Sequence, residues 1–401
     1  MIRKNNPNYK WYILTLTMLT YAIVAGAARL CMPVLFKQIS DDLNLSLTAI
    51  GTVWGMDPLA GVFVGLPSGL LADRFGVKRS LTVLCVLAGV FGAMRGFSVN
   101  FISLAAIMFL FGLMAAATPS IVPKVTAEWF SGKRLGLANG MLNVAWSIGA
   151  MAATMLSATV LSPLLGGWRN VMFFYGIPSA ALGLLWLFTA REPDKTENPE
   201  QLAVKLPFRQ ALSHVIRIKE VWIIGLVTLT SWGASMGFIG YLPLYLRNIG
   251  WTPTAADSAI TISSAMMSLG SIPMVLLSDK LKSRKGVLIL SVAAFSVGLV
   301  LLPYVNTFGV WVVIVISNFL RSGAGSLFTV MIFETKGVGS VYGGTAIGLA
   351  STISMVGAFL APPLGNSLAD INQGLPFIFW AFLAALGIPL LLLIKTKTSR
   401  I

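Results

Sequence analysis

The chain has 401 residues, of which 56% are hydrophobic and only 11% are charged. Soluble domains carry about a quarter charged residues, so this composition excludes an ordinary water-soluble protein and favours one with a lipid-facing exterior. The formal charge of +15 does not indicate nucleic-acid binding, because the basic residues lie in short clusters between long uncharged stretches.

Twelve apolar stretches follow one another along the chain, and a membrane helix needs about 20 predominantly apolar residues. The first stretch is too long for a signal peptide and lacks a small-residue cleavage site, so we expect it to belong to the mature fold. We predict an all-α membrane protein with twelve transmembrane helices in two six-helix bundles. The predicted spans are 11–36, 47–70, 80–97, 101–123, 135–160, 168–190, 220–246, 256–277, 286–304, 308–332, 341–368 and 375–394.

One long polar interval, from Arg191 to Lys219, divides these spans into two sets of six. We therefore predict an N-terminal bundle over 1–190, a linker over 191–219 and a C-terminal bundle over 220–401. If the amino terminus is cytoplasmic, 23 Lys and Arg residues fall on the cytoplasmic side. The other side holds four, namely Lys37, Arg95, Arg169 and Arg247. Cytoplasmic loops carry an excess of Lys and Arg, so both termini and the linker are predicted to lie in the cytoplasm of a cell-membrane protein.

The two halves resemble each other at one loop. The second-to-third junction, Gly69 to Arg79, contains Asp73 followed by basic residues, and the eighth-to-ninth junction, Leu276 to Lys285, contains Asp279 followed by basic residues. The two aspartates are 206 residues apart, about half the chain. This spacing indicates a duplicated six-span unit, a plan used by transporters that hold substrate between their repeats.

The Gly69 to Arg79 segment resembles the signature loop of the major facilitator superfamily. Other stretches are similar to the anion:cation symporter and organic anion permease group within it. The resemblance implies a twelve-span carrier in which this loop gates conformational change rather than contacting substrate. The implied gating residues are Gly69, Asp73, Arg74, Gly76, Lys78 and Arg79, with Asp279 and Arg284 in the repeated loop. The stretches similar to the group are Arg29 with Asp42-Leu43, Glu128 to Gly140, and Gly167 to Phe173.

The sequence also departs from these patterns. The symporter group usually has an acidic residue beside the first-helix arginine, where this chain has Ala28, and often a glutamate at the position of Ala115. Many proton-coupled members have an arginine where this chain has Met108. Drug antiporters typically have a Gly-Pro pair where this chain reads Gly149-Ala150. The usual coupling residues therefore cannot be carried over, and the drug-exporter pattern is not met.

Three charges lie well within predicted spans: Arg29, Asp57 and Arg321. A charge near mid-bilayer costs about 2.5–3.5 kcal/mol on insertion scales, so such residues mostly face a water-filled cavity or a partner. Guanidinium can hold a carboxylate through two hydrogen bonds, and the two arginines lie in different halves. We hypothesise that Arg29 and Arg321 bind an anionic substrate. The alternative is that each arginine pairs with Asp57 or a backbone carbonyl and joins helices.

Asp57 can be a protonatable coupling site or a fixed counter-ion, and the sequence leaves both open. Tyr21 lies two turns from Arg29, and Asn143 falls in a polar stripe on the fifth span; both are candidate substrate contacts. Further polar stripes lie on the seventh span, at Thr228, Ser231 and Ser235, and on the tenth, at Asn318, Arg321, Ser322 and Gly325. Glu334 is expected at the cytoplasmic end of the tenth span, as a gate or topology residue.

An enzyme is not predicted. No phosphate-binding loop ends in Gly-Lys-Ser or Gly-Lys-Thr, Cys31 and Cys85 have no metal or disulfide spacing, and the lone His214 is expected to be a solvated linker residue. No cofactor and no metal are expected.

We therefore predict a monomeric secondary transporter of a small anion, an organic carboxylate, working by alternating access. Its expected partners are a coupling proton or counter-anion and the lipid bilayer. The alternatives are a drug or small-molecule exporter and a non-transporting membrane receptor.

Overall fold

The computed structural model describes residues 9–65, 67–68, 74–191 and 208–394. Within these ranges all regular elements are helical, and twelve helices are long and apolar enough to cross a membrane, which confirms the predicted fold class. They are α1 Tyr9–Leu43, α2 Leu47–Val64, α3 Val77–Phe97, α4 Phe101–Trp129, α5 Arg134–Leu165, α6 Trp168–Thr189, α7 Lys219–Asn248, α8 Pro253–Lys280, α9 Arg284–Leu301, α10 Thr307–Glu334, α11 Val341–Asp370 and α12 Leu375–Leu393. A further helix, the linker helix, spans Phe208–Val215.

Helix ends differ from the predicted edges where polar turns continue a helix beyond its apolar stretch. The clearest case is α1, which runs to Leu43 because Asn44 then adopts a left-handed conformation with φ +51°. Ser46 next begins α2 by accepting a hydrogen bond from the amide of Ala49. Hydropathy alone cannot find such an end, because the final turns of α1 contain charged residues.

Several spans depart from regular α-helix. In α1, residues Tyr21–Ala27 form a π-helical turn, a feature that is frequent at functional sites. The helical segments of α4 are Phe101–Ala115 and Thr118–Trp129, and those of α10 are Thr307–Arg321 and Ala324–Glu334. The fourth and the tenth span, which hold equivalent places in the two sets of six, are thus both interrupted near their middle.

The two sets of six spans meet along two antiparallel helix pairs. In the pair α2 and α11, a Cβ atom at Gly51 would lie 2.9 Å from the carbonyl oxygen of Pro362, and one at Gly55 would lie 2.6 Å from that of Phe359. Small residues let membrane helices approach this closely. In the pair α5 and α8, the hydroxyl of Thr154 is 2.9 Å from that of Thr261.

The face at which α1 begins and α12 ends is called the terminal face below, and the other is called the opposite face. Three hydrogen bonds join the two sets on the opposite side. Arg247 donates to the carbonyl of Val34 (2.5 Å), Trp54 to that of Met236 (2.9 Å) and Asn366 to that of Leu47 (2.9 Å). The interface is therefore closed toward the opposite face.

Toward the terminal face the α5 side of this interface is open. Ser147 lies 2.8 Å from Ser268 of α8, hydroxyl to hydroxyl. On the same side of α5 but nearer the terminal face, a Cβ atom placed on Gly136 or Gly140 would have no described atom of a neighbouring element within 4 Å. A cleft between the two sets thus opens toward the terminal face.

The linker helix packs on the start of the eleventh span. The sequence analysis expected His214 to be a solvated linker residue, and it is exposed. It also contacts the protein, since its Nε2 is 2.8 Å from the carbonyl oxygen of Gly337 and its ring stacks on Tyr342 with centroids 4.1 Å apart. Residues 192–207 of the predicted linker lie outside the described residues.

Candidate functional site

Arg29 and Asp57 form an ion pair inside the first set of spans. Arg29 follows the π-helical turn of α1 by two residues, and its Nε donates to Asp57 Oδ2 on α2. The Asp57 side chain is fully buried, whereas 18% of the Arg29 side chain is exposed. Gly112 of α4 packs on the backbone of Asp57, since a Cβ there would lie 2.7 Å from Asp57 Cα. The pair therefore joins α1 to α2, beside the close packing of α2 on α4, and leaves the outer part of the arginine accessible.

Each partner of this pair keeps unused hydrogen-bonding capacity. Asp57 Oδ1 is buried and has no hydrogen-bond partner among the described residues. On Arg29, Nε is the nitrogen engaged with described atoms, so the two terminal nitrogens remain available. A guanidinium can thus hold a protein carboxylate on one side and bind an external anion on the other.

Arg95 is a buried cation beside this pair, near the end of the predicted third span. It lies at the end of α3 with no exposed surface. Its Nη2 donates to the carbonyl of Ala28 (2.8 Å), its Nε to that of Gly92 (3.0 Å), and its guanidinium lies 4.3 Å above the Phe111 ring. Its burial was not predicted, because a residue at the edge of an apolar stretch can be covered by neighbouring helices, which hydropathy does not reveal.

Asp257 and Arg247 were also not recognised as buried charges. Asp257, in the first turns of α8, is fully buried and pairs with Arg247 Nη2 at the end of α7. Asp257 Oδ2 and Arg247 Nε have no partner among the described residues. Because Arg247 also bonds Val34, this pair belongs to the closed opposite side rather than to a site open to substrate.

The described residues enclose a cavity of about 260 Å³ within the second set of spans. Arg321 of α10 lies in its wall with 8% of its surface exposed. Its guanidinium lies 4.3 Å above the ring of Phe295, its Nη2 is 3.1 Å from Met267 Sδ, and its Nε has no partner among the described residues. No carboxylate in the described ranges forms an ion pair with Arg321. The cavity thus holds a cation that the described protein leaves unneutralised.

The predicted polar stripes contribute unequally to this wall. Thr228, Ser231, Ser322 and Gly325 line the cavity together with Arg321. Ser235 and Asn318 are not in the wall; Asn318 is fully buried and donates to the carbonyl of Ile314 (2.9 Å). Helical spacing therefore identified two helices that line the cavity, but it did not show which residues of each stripe lie in the wall.

The structure does not bring all predicted substrate contacts into one wall. Arg29, Tyr21 and Asn143 are absent from the lining of the Arg321 cavity. Tyr21 begins the π-helical turn and is half-buried, and Asn143 is exposed on the side of α5 that carries Ser147. These three residues lie in the first set of spans and Arg321 in the second, and their contact with one substrate stays a prediction.

The predicted gating loops are described in part. Gly69 and Asp73 lie outside the described residues. Gly76 precedes α3 with φ +80°, a conformation that favours glycine, while Arg74, Lys78 and Arg79 flank it on the loop and first turn. In the repeated loop, Arg284 lies 3.5 Å from Asp279 and 3.0 Å from Glu334. Glu334 thus ties the end of α10 to this loop.

Comparison with protein families adds a match to the family described as Major Facilitator Superfamily, over residues 17–256 and 238–400. The chain belongs to the Major Facilitator Superfamily. It is therefore a multi-pass membrane transporter, as predicted, and not an enzyme.

Among curated relatives, a probable galactarate/D-glucarate transporter of Bacillus subtilis (strain 168) is 29% identical over 46% of this chain. The match spans less than half of that relative, 42% of its length. The cis,cis-muconate transport protein of Acinetobacter baylyi (strain ATCC 33305 / BD413 / ADP1) is 25% identical over 94% of this chain and 92% of its own.

Among solved structures, a bacterial homolog of the human lysosomal transporter Spinster, in an inward-facing and occupied conformation, has the same fold. Its TM-score is 0.76, at 16% identity over 96% of this chain and 97% of that one.

Proposed function

We propose that this transporter moves a small anion, an organic carboxylate, across the membrane by alternating access, coupled to protons or to anion exchange. The observation that carries the proposal is the unneutralised guanidinium of Arg321 in the cavity wall. Burying a charge without a partner is costly, so an anionic ligand that supplies the missing charge binds there with a gain that a neutral ligand lacks.

The first set of spans supports the same proposal. The partly buried Arg29 and the buried Arg95 lie near one buried carboxylate, Asp57, so this region carries an excess of positive charge. The terminal nitrogens of Arg29 give an anion a second point of attachment across the cleft, with Tyr21 and Asn143 as proposed neighbours. The names of the galactarate/D-glucarate and muconate transporters, both for organic acids, agree with this substrate class.

The proposed mechanism uses the two sets of spans as moving units, with boundaries at 1–190 and 220–401 and a linker over 191–219. In the described state the contacts of Arg247, Trp54 and Asn366 close the cleft toward the opposite face. Breaking these contacts and closing the terminal side would expose the site to the opposite face. We propose that the signature loop and the Asp279–Arg284–Glu334 cluster at the repeated loop stabilise one of these states.

The charge distribution supports a proposed orientation in the cell membrane with both termini in the cytoplasm, so that the cleft of the described state faces inward. We propose a monomer as the working unit, since one chain already contains both sets of six spans that alternating access requires.

Export of an apolar or cationic compound is the competing function, and the aromatic residues Trp232, Phe295 and Phe328 in the cavity wall favour it. Purified protein in lipid vesicles distinguishes the two. Labelled benzoate, muconate and D-glucarate are offered under an imposed pH gradient, and the cationic dye ethidium is offered in parallel. Accumulation of an acid supports the proposal. Movement of ethidium without movement of any acid would replace it with the exporter function.

We propose Asp57 as the proton-coupling residue, because its Oδ1 is buried and free of partners among the described residues. Asp57→Asn is expected to abolish accumulation driven by a pH gradient, since an amide cannot take up and release a proton, while exchange of labelled for unlabelled acid continues. The control is Asp41→Asn, which removes an exposed carboxylate that pairs with Lys37 on the same helix, and it should retain gradient-driven accumulation because exposed pairs contribute little to stability. Full accumulation by the Asp57→Asn protein would exclude this role.

A further inference from the structure

The Arg321 cavity has an unusual balance of side chains for a site that binds an acid. Among the residues in its wall, Arg321 is the charged one, and none is Asn, Gln, Asp, Glu, His, Lys or Tyr. The polar remainder consists of serines and threonines, with the indole N–H of Trp232 as one more donor. The wall therefore has one strong anion ligand. It has no carboxylate that could accept a hydrogen bond from a substrate hydroxyl and no side-chain amide that could both accept and donate one.

Most of these hydroxyls already donate to the backbone of their own helix. Thr228 bonds the carbonyl of Gly225 (2.8 Å), Ser322 that of Phe319 (2.7 Å), Thr329 that of Gly325 (3.1 Å) and Ser354 that of Ser351 (2.7 Å). Serine and threonine in membrane helices commonly bond in this way. Each such hydroxyl has spent its single donor. The donors that remain in the wall besides Arg321 are the hydroxyls of Ser231 and Ser351 and the indole N–H of Trp232, fewer than the hydroxyl groups of a polyhydroxylated acid.

The other residues of the wall are mostly apolar, and two of them contact the guanidinium of Arg321. Phe295 covers one face of Arg321 at 4.3 Å, and Met267 Sδ touches Nη2 at 3.1 Å. Phe328, Ile332 and Ile347 are further apolar residues of the wall. At about 260 Å³ the cavity lies below the usual range of roughly 300–1,000 Å³ for ligand pockets, so it suits one small molecule.

We propose that this cavity selects acids that have one carboxylate and an apolar body, and that it discriminates against polyhydroxylated acids. The carboxylate binds Arg321, and an aliphatic, unsaturated or aromatic body packs on Phe295, Phe328 and Ile347. A hydroxylated body would lose its hydration without gaining equivalent hydrogen bonds. This inference rests on the proposed function, because it names the class of anion that the same site takes.

Two matched ligand pairs test the inference by binding to the full-length protein in nanodiscs, with empty nanodiscs as the blank. Hexanoate and D-gluconate have the same carbon number and charge and differ in hydroxyl groups; benzoate and benzamide share a ring and differ in charge. We expect hexanoate to bind at least about tenfold more tightly than D-gluconate, a difference of about 1.4 kcal/mol. Benzoate should bind and benzamide should not.

A pair of variants connects this selectivity to the wall. Ile347→Ser adds a hydroxyl inside the cavity, whereas Ile316→Ser makes the same change at a residue of α10 that is 53% exposed and outside the wall. Ile347→Ser is expected to reduce the hexanoate-to-gluconate ratio several-fold, and Ile316→Ser to leave it unchanged. If Ile347→Ser gives too little folded protein, Val292→Thr makes a wall change that keeps the side-chain shape.

The outcomes separate this inference from the proposed function. Binding of D-gluconate as tight as that of hexanoate would overturn the selectivity and leave anion transport standing. An unchanged ratio in both wall variants would also overturn it. If no acid binds and benzamide does, both the inference and the proposed function fail.

Discussion

Replacing Arg321 with methionine is expected to abolish carboxylate binding and uptake while leaving the thermal stability of the protein unchanged or higher. Arg321 has no carboxylate partner in the described residues and lies against Phe295 and Met267. A methionine of similar length removes the cost of the buried charge without leaving another charge unpaired. Loss of transport would then report loss of the anion ligand rather than loss of the fold.

Arg247→Met is the matched control for this prediction, because Arg247 has only 9% of its side chain exposed but pairs with the fully buried Asp257. Its loss leaves that carboxylate without a counter-charge, and breaking a buried pair in this way costs about 3–5 kcal/mol. Melting temperature in nanodiscs and vesicle uptake of benzoate are measured for both variants. Retained uptake by Arg321→Met, or a fall in its melting temperature as large as that of Arg247→Met, would contradict the prediction.

The sequence was sufficient for the helices because the membrane requires long apolar stretches, and all twelve were found. It was also sufficient to identify Arg29, Asp57 and Arg321 as charges inside spans, since a charge far from either edge of an apolar stretch is easily recognised. It could not identify Arg95 or Asp257, which lie near the ends of their spans and are buried by other helices. Burial there depends on packing between distant segments, such as the contact of Arg95 with Ala28.

The cavity itself could not be predicted for a related reason. Helical periodicity shows which residues share a side of one helix, as for Thr228 and Ser231, but not which helix that side meets. Phe295 of α9 and Ile347 of α11 carry no polar signal, yet they form the wall beside Arg321. The selectivity proposed for the cavity depends on these apolar residues, and only the packing of α7 to α12 reveals them.

The second large effect is expected when the Arg29–Asp57 ion pair is broken. Arg29→Met is expected to abolish transport and also to destabilise the protein by about 3–5 kcal/mol, because Asp57 is then buried without its cation. Adding Asp57→Asn should restore most of the stability, since the uncompensated charge is gone, but not the transport, since the anion ligand on the first set of spans is still missing. Melting temperature and benzoate exchange in vesicles measure the two effects separately.

A double variant as unstable as Arg29→Met would show that the arginine stabilises the fold by packing rather than by its charge. A double variant that exchanges benzoate at the normal rate would show that Arg29 serves as a counter-ion for Asp57 and does not bind the substrate.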